Sequence, residues 1–142
     1  MIRRYAAGDI DAVVEVWRAA SRVATPFLSA AFLDEEEREI REGWMARAES
    51  WVYEEGGRVT GFVSLLGDEV GGLFVRPAAQ GRGIGRALMD HAVALRGRLV
   101  LEVFERNRSG RGFYARYGFR EIGRNVHEAT GQPQIQLEFG PE

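Results

Sequence analysis

The chain has 142 residues, 45% of them apolar and 28% charged, with a net charge of −2, which suits one globular domain over residues 1–142 with a core of its own and leaves no material for a second. Acids and arginines are interspersed, all 19 cationic side chains being arginine, so no basic face is offered to nucleic acid. No cysteine is present, which removes disulfides, thiolate metal sites and any acyl-cysteine intermediate; MIRRYAAGDI lacks the apolar stretch of a signal peptide, and no run approaches the ~18 residues of a membrane span.

Residues 2–6 read as a first strand, punctuated by Gly8 and Asp9. Val13, Val16, Trp17 and Ala20 recur at helical spacing, which predicts an amphipathic helix over 10–22 with Asp9 as N-cap, ending before Pro26. The apolar stretch 24–33 has no clear period and reads as a loop packed on the core, the alternative being a wall of a substrate site. Asp34 and Glu37 then match a capping box, predicting a second helix that begins at 34 and buries Ile40, Trp44 and Met45. Strands follow at 51–54 and 59–66 around a hairpin turn at 55–58, and a third at 69–75.

That third strand runs into LFVRPAAQGRGIGRAL, residues 73–88. Pro77 cannot donate to a ladder and ends the strand. Ile84, Ala87, Leu88, His91, Ala92 and Leu95 fall on one stripe of a helix, so the glycines sit where a helix begins. Gly81, Gly83 and Gly85 carry no Cβ, and the free N–H groups of a first helical turn suit a phosphate, with Arg82 and Arg86 as nearby cations. A tight strand-to-helix connection would use the same glycines. The spacing fits neither the dinucleotide fingerprint nor the P-loop, which disfavours a nucleotide-dependent kinase or dehydrogenase.

Residues 99–104 form another strand, with Leu99, Leu101 and Val103 on one face and Val100, Glu102 and Phe104 on the other. A helical crossover makes it parallel to 69–75, and two parallel strands that part beside a phosphate loop would open a cleft. Residues 108–116 read as a helix with Asn107 as N-cap and Gly118 just past its end, and 119–127 and 134–139 as closing strands.

The segment Gln80-x-x-Gly83-x-Gly85 after a strand ending Val-x-Pro resembles the acyl-CoA loop of the GCN5-related N-acetyltransferases, Arg/Gln-x-x-Gly-x-Gly/Ala. A second stretch, Asn107-x-x-Gly110-x-x-Phe113-Tyr114-x-x-x-Gly118-Phe119, is similar to that family's Asn-x-x-Ala-x-x-Phe-Tyr-x-x-x-Gly-Phe, departing only at Gly110. LEVFERN, 101–107, also looks like the matching segment of the ribosomal-protein N-terminal acetyltransferases. The likeness covers 69–119 by motif and the flanks by element order, as in small single-domain bacterial members.

The resemblance implies an α/β (α+β) fold: a mixed, mostly antiparallel sheet of about seven strands, four helices, and a splayed parallel pair at the cofactor cleft. It implies an acyltransferase that moves acetyl from acetyl-CoA directly onto a primary amine of a small molecule or peptide, without a metal, as a monomer or homodimer; the lack of a signal-peptide stretch and of a membrane-length run makes a cytoplasmic enzyme the default. A non-catalytic acyl-CoA-binding module on the same fold is the alternative. The pyrophosphate would lie on the N–H groups of Gly81, Arg82, Gly83, Ile84, Gly85 and Arg86 beside Gln80, the pantetheine along Phe74 and Val75, and Asn107 would also touch the cofactor.

Tyr114 matches the tyrosine that protonates the leaving thiolate; its other reading is a core tyrosine. Glu102 is the candidate base, pictured as half-buried beside the cleft, or alternatively an ion-pair partner of Arg76 or Arg106. His91 reads as a core-edge histidine, and His127 lies near a hairpin where it could meet substrate.

Overall fold

The computed structural model describes residues 1–141. Strands β1 (Ile2–Arg4), β2 (Glu49–Glu55), β3 (Arg58–Leu66), β4 (Glu69–Val75), β5 (Leu99–Phe104), β6 (Arg120–Val126) and β7 (Pro133–Phe139) pair in the order β1-β2-β3-β4-β5-β7-β6. Every pairing is antiparallel except β4 with β5. Helices α1 (Ile10–Ala24), α2 (Ala30–Glu39), α3 (Ile84–Arg96) and α4 (Arg108–Tyr117) complete the architecture expected from the sequence.

Alternation along β3 sends side chains to two cores, because this central strand is covered on both faces and is buried from Val59 to Leu65. Phe62 joins Val13, Val16, Trp17 and Leu33 beneath α1 and α2, while Val63 joins Ile84, Leu88, Met89, Leu99 and Leu101 beneath α3. Asp9 occupies the position before α1, but its carboxylate accepts from the Ala6 amide at 2.8 Å and pairs with Arg3 at 2.8 Å, leaving the helix without a side-chain cap.

The second helix corrects the sequence reading. It starts at Ala30, with the Ser29 hydroxyl accepting from the Phe32 amide at 3.1 Å, so Asp34 and Glu37 lie inside it and form no capping box. Ala30–Leu33 thus belong to the helix, and only the residues before them make the connecting turn. The acids pair along and between helices, Arg18 with Asp34 and Glu37, Arg38 with Glu35, and Arg41 with Glu37. After Glu39 the helix widens into a π turn over Ile40–Trp44 and closes with one turn, Met45–Arg47.

The β4/β5 pair splays as anticipated, and the cause is a bulge. Ser64 of β3 faces Gly72 while Leu65 faces Val70, which makes Gly71 the extra residue on β4. A bulge bends its strand, and β4 pairs with β5 at one register position, Glu69 with Val100. The Trp44 ring packs at the bend: a Cβ on Gly71 would lie 2.1 Å from Trp44 Cζ2, so any larger residue there would displace the ring. Among the described residues no helix is long and apolar enough to cross a membrane.

Candidate active site

Two cavities meet where β4 leaves β5. The first is a groove of ≈ 350 Å³ between the C-terminal end of β4, the glycine loop and α4. Gly81 and Gly83 have φ of 78° and 84°, conformations that favour glycine, and a Cβ on either would meet nothing within 4 Å. Gly83 caps α3 without a side chain, so the first-turn amides of α3 have no intrahelical or side-chain acceptor. Gln80 donates back to the Val75 carbonyl at 3.0 Å and fixes the loop against the end of β4.

Phe74, Val75, Gln80, Gly81, Gly83, Ile84, Gly85, Arg86 and Asn107 all line this groove. Arg82 does not: its guanidinium turns outward to Glu55 at 2.5 Å. The second cation on the groove is instead Arg116, on the last turn of α4, which the sequence reading missed because no periodicity sets it apart from the other arginines of that helix. The Asn107 side chain caps α4, accepting from Gly110 N at 2.9 Å. A Cβ on Gly110 would lie 2.6 Å from Asn107 Nδ2, so the departure from the family's alanine is matched to the way Asn107 is packed.

The second cavity, ≈ 530 Å³, lies between α2 with its π turn, the bulged part of β4, the face of β5 bearing Glu102 and Phe104, and the β6–β7 turn. Leu73, Phe74, Asn107 and Tyr114 belong to both cavities. Tyr114 packs against the rings of Phe113 and Phe119, each at 5.5 Å, and none of the described residues hydrogen-bonds its hydroxyl. Burial pushes its phenol up to about 12, so it is protonated at neutral pH.

Glu102 lines the second cavity but is exposed there, not half-buried as the sequence suggested. Its carboxylate accepts from Asn125 Nδ2 at 2.5 Å. Neither arginine named as an ion-pair partner is engaged with it: Arg76 pairs with Glu15 at 2.5 Å and Arg106 stacks over Phe27 at 4.4 Å. His91 packs on Trp51 with centroids 4.3 Å apart and lines neither cavity, its Nε2 buried without a partner among the described residues.

His127 and Glu36 also line the second cavity, as do Leu28 and Phe32 from the stretch read chiefly as core packing. His127 Nδ1 lies 2.8 Å from Thr130 Oγ1, and its ring packs edge-on to Phe104 at 5.2 Å and Phe32 at 5.7 Å. Glu36 was hidden because the DEEE run suggested a helix start; only the true start at Ser29 turns Glu36 inward with Phe32, one helical turn away.

The splayed parallel pair, the glycine loop opening a helix and Tyr114 at the junction of two cavities match the acyltransferase fold that the sequence resemblance implies. A model of the acetyltransferase (GNAT) domain matches residues 46–121. The chain is 35% identical over 138 residues to the peptidyl-lysine N-acetyltransferase YiaC of Escherichia coli (strain K12), covering 96% of this chain and 91% of that one. It is 32% identical over 133 residues to the peptidyl-lysine N-acetyltransferase YjaB of the same organism, 93% and 90% covered. The solution structure of apo YjaB from Escherichia coli superposes with a TM-score of 0.88 at 31% identity, covering 99% of this chain and 98% of that one. The fold is shared as well by a PaiA N-acetyltransferase from Thermoplasma acidophilum in complex with coenzyme A, TM-score 0.80, 17% identity, 96% of both chains.

The chain therefore belongs to the GCN5-related N-acetyltransferase family, and it is an N-acetyltransferase that transfers acetyl to an amine.

Proposed function

We propose that the chain acts as one domain on the side-chain amine of lysine in a peptide or protein, by direct transfer, with Tyr114 as the proton donor and Glu102 as the proton acceptor. The observation that carries this reading is the junction of the two cavities at Leu73, Phe74, Asn107 and Tyr114, one cavity shaped for a phosphate-bearing cofactor and the other lined by carboxylates. The lysine acceptor is supported by the names of YiaC and YjaB.

The groove fits the cofactor. Its glycine loop is open at Gly81 and Gly83, the first-turn amides of α3 are free to donate, and Arg86 and Arg116 stand by as cations. When bound, acetyl-CoA supplies the thioester whose acetyl carbon the amine attacks. The peptide edge of β4 at Phe74 and Val75, freed from β5 by the Gly71 bulge, can hold an extended pantetheine as an added strand would be held.

A lysine amine with pKa ~10.4 needs roughly 4 to 5 kcal/mol to be deprotonated at pH 7, so the acceptor side needs a base. Glu102 takes the ammonium proton, directly or through a water, while Asn125 steadies the carboxylate without neutralising it. Tyr114 Oη holds the proton that ends on the sulfur when the carbon–sulfur bond breaks, and its raised pKa keeps that proton in place at neutral pH. With no cysteine in the chain, no thiol nucleophile competes with the amine.

An amine panel tests the reading. Free CoA release is followed with a lysine peptide blocked at its N-terminus, a peptide with only a free N-terminus, and a small alkylamine. The blocked lysine peptide is expected to react with the highest kcat/KM, and preference for either of the others would overturn the lysine assignment.

A further inference from the structure

The four consecutive acids of α2 are not equivalent. Asp34, Glu35 and Glu37 each pair with an arginine, at 2.8, 3.3 and 3.2 Å. Glu36 faces the acceptor cavity, and the ionisable groups beside it are His127, Glu39 and Glu35, with no arginine among them. The other carboxylates on that wall, Glu39, Glu69 and Glu102, likewise form no arginine pair among the described residues. In a chain with 19 arginines, unpaired acids collected on one wall leave a charge to be met from outside. Among the described residues the one arginine on the wall, Arg47, lies over the Trp44 ring at 5.8 Å.

The surroundings of Glu36 are built as well as charged. Phe32, His127 and Phe104 form a continuous line of edge-on rings, and the β6–β7 turn holds His127 in that line. The Gly131 amide donates to the His127 carbonyl at 2.7 Å and the His127 amide to Gln132 O at 2.8 Å. Glu36 is half-buried in the same cavity wall as these rings, and burial holds its carboxyl above the usual carboxylate range. A charge half out of water attracts a partner more strongly than a fully solvated one.

We propose that Glu36, framed by Phe32 and His127, reads a second positive charge on the acceptor, so that a lysine with arginine within two residues is preferred to the same lysine flanked by acids. This rests on the lysine reading above and extends it from the reacting amine to its neighbours. Glu102 and Phe104 share a face of β5, and the ring line runs from Phe104 to Phe32, so an acceptor whose amine lies at Glu102 carries its neighbouring residues along the rings toward Glu36.

Two blocked lysine peptides, differing only in arginine or glutamate flanks, are titrated calorimetrically into the CoA-loaded protein, and their kcat/KM values with acetyl-CoA are measured in parallel. The wild type is expected to bind the arginine peptide about tenfold more tightly. Glu36→Gln should reduce that preference to about threefold or less, with the change in KM rather than kcat, whereas Glu37→Gln, outside the cavity on the same run, should leave it intact. Equal binding of the two peptides by the wild type, or an undiminished preference in Glu36→Gln, would overturn the proposal. Failure of the lysine reading would show separately, as binding without acetyl-lysine from either peptide.

Discussion

A base that must accept a proton from an ammonium has to be held without being neutralised, and in the role proposed for Glu102 the Asn125 amide meets that need where an arginine would not. Glu102→Gln keeps the shape and removes the acceptor. It should depress kcat/KM most below the pKa of the amine, where substrate arrives as ammonium, and the comparison is made on one amine from about pH 6 to 10. Equal rates for both proteins across that range would remove Glu102 from the chemistry. Glu36 supports a prediction of the opposite kind. Burial raises its folded-state pKa, so the folded protein prefers the protonated form, and the stability this represents is present below the unfolded value and lost as pH rises through the folded one. At pH 7 the carboxylate is therefore a burden on the fold, and Glu36→Gln should leave the Tm unchanged or raise it. Glu37→Gln, which gives up contacts to Arg18 and Arg41, serves as the contrast. A clear fall in Tm for Glu36→Gln would show that its carboxylate is structurally paired after all.

At the scale of elements, the strand–loop–helix unit from β4 to α3 was readable because its signals are local: Pro77 stops the strand, glycines take the loop conformations, and the apolar stripe from Ile84 marks the helix. Asn107 and Gly118 framed α4 for the same reason. The start of α2 was misread because two capping signals compete there. Ser29 wins since Ala30 to Leu33 continue the helix and bury Leu33, which the Asp34 pattern cannot reveal. The Gly71 bulge and the cavity wall formed by α2, β5 and the β6–β7 turn depend on pairing between distant segments, and alternation within one strand is silent about them. Gly85 tests the loop as an element. A Cβ there would sit 3.4 Å from Phe113 Cε1, an ordinary contact, so Gly85→Ala should keep both fold and affinity. Gly85→Val adds methyl groups that must enter the groove, and calorimetry on the folded mutant should show acetyl-CoA binding weakened about tenfold or more. Unchanged affinity would remove the loop from the cofactor site.

Across the whole molecule, one bend in one strand organises the function. The bulge frees the edge of β4 toward the groove, and the same divergence opens the larger cavity on the side of α2. Phe113, Phe119 and the rest of the core beneath α4 fix Tyr114 where the two spaces join. Long-range ion pairs tie the frame together, Arg3 to Glu54 at 2.7 Å and Arg96 to Glu49 at 2.7 Å, so that the first strand and the crossover helix are anchored to β2. Direct transfer with Tyr114 as acid is the reaction proposed for this junction. It is tested most directly by acetylation of a blocked lysine peptide by wild type and Tyr114→Phe, following CoA release and acetyl-lysine together with the calorimetric affinity for acetyl-CoA. Equal yields of CoA and acetyl-lysine are expected in the wild type, and in Tyr114→Phe a kcat lower by ~10²-fold or more with nearly unchanged cofactor affinity. Full turnover by Tyr114→Phe would contradict it.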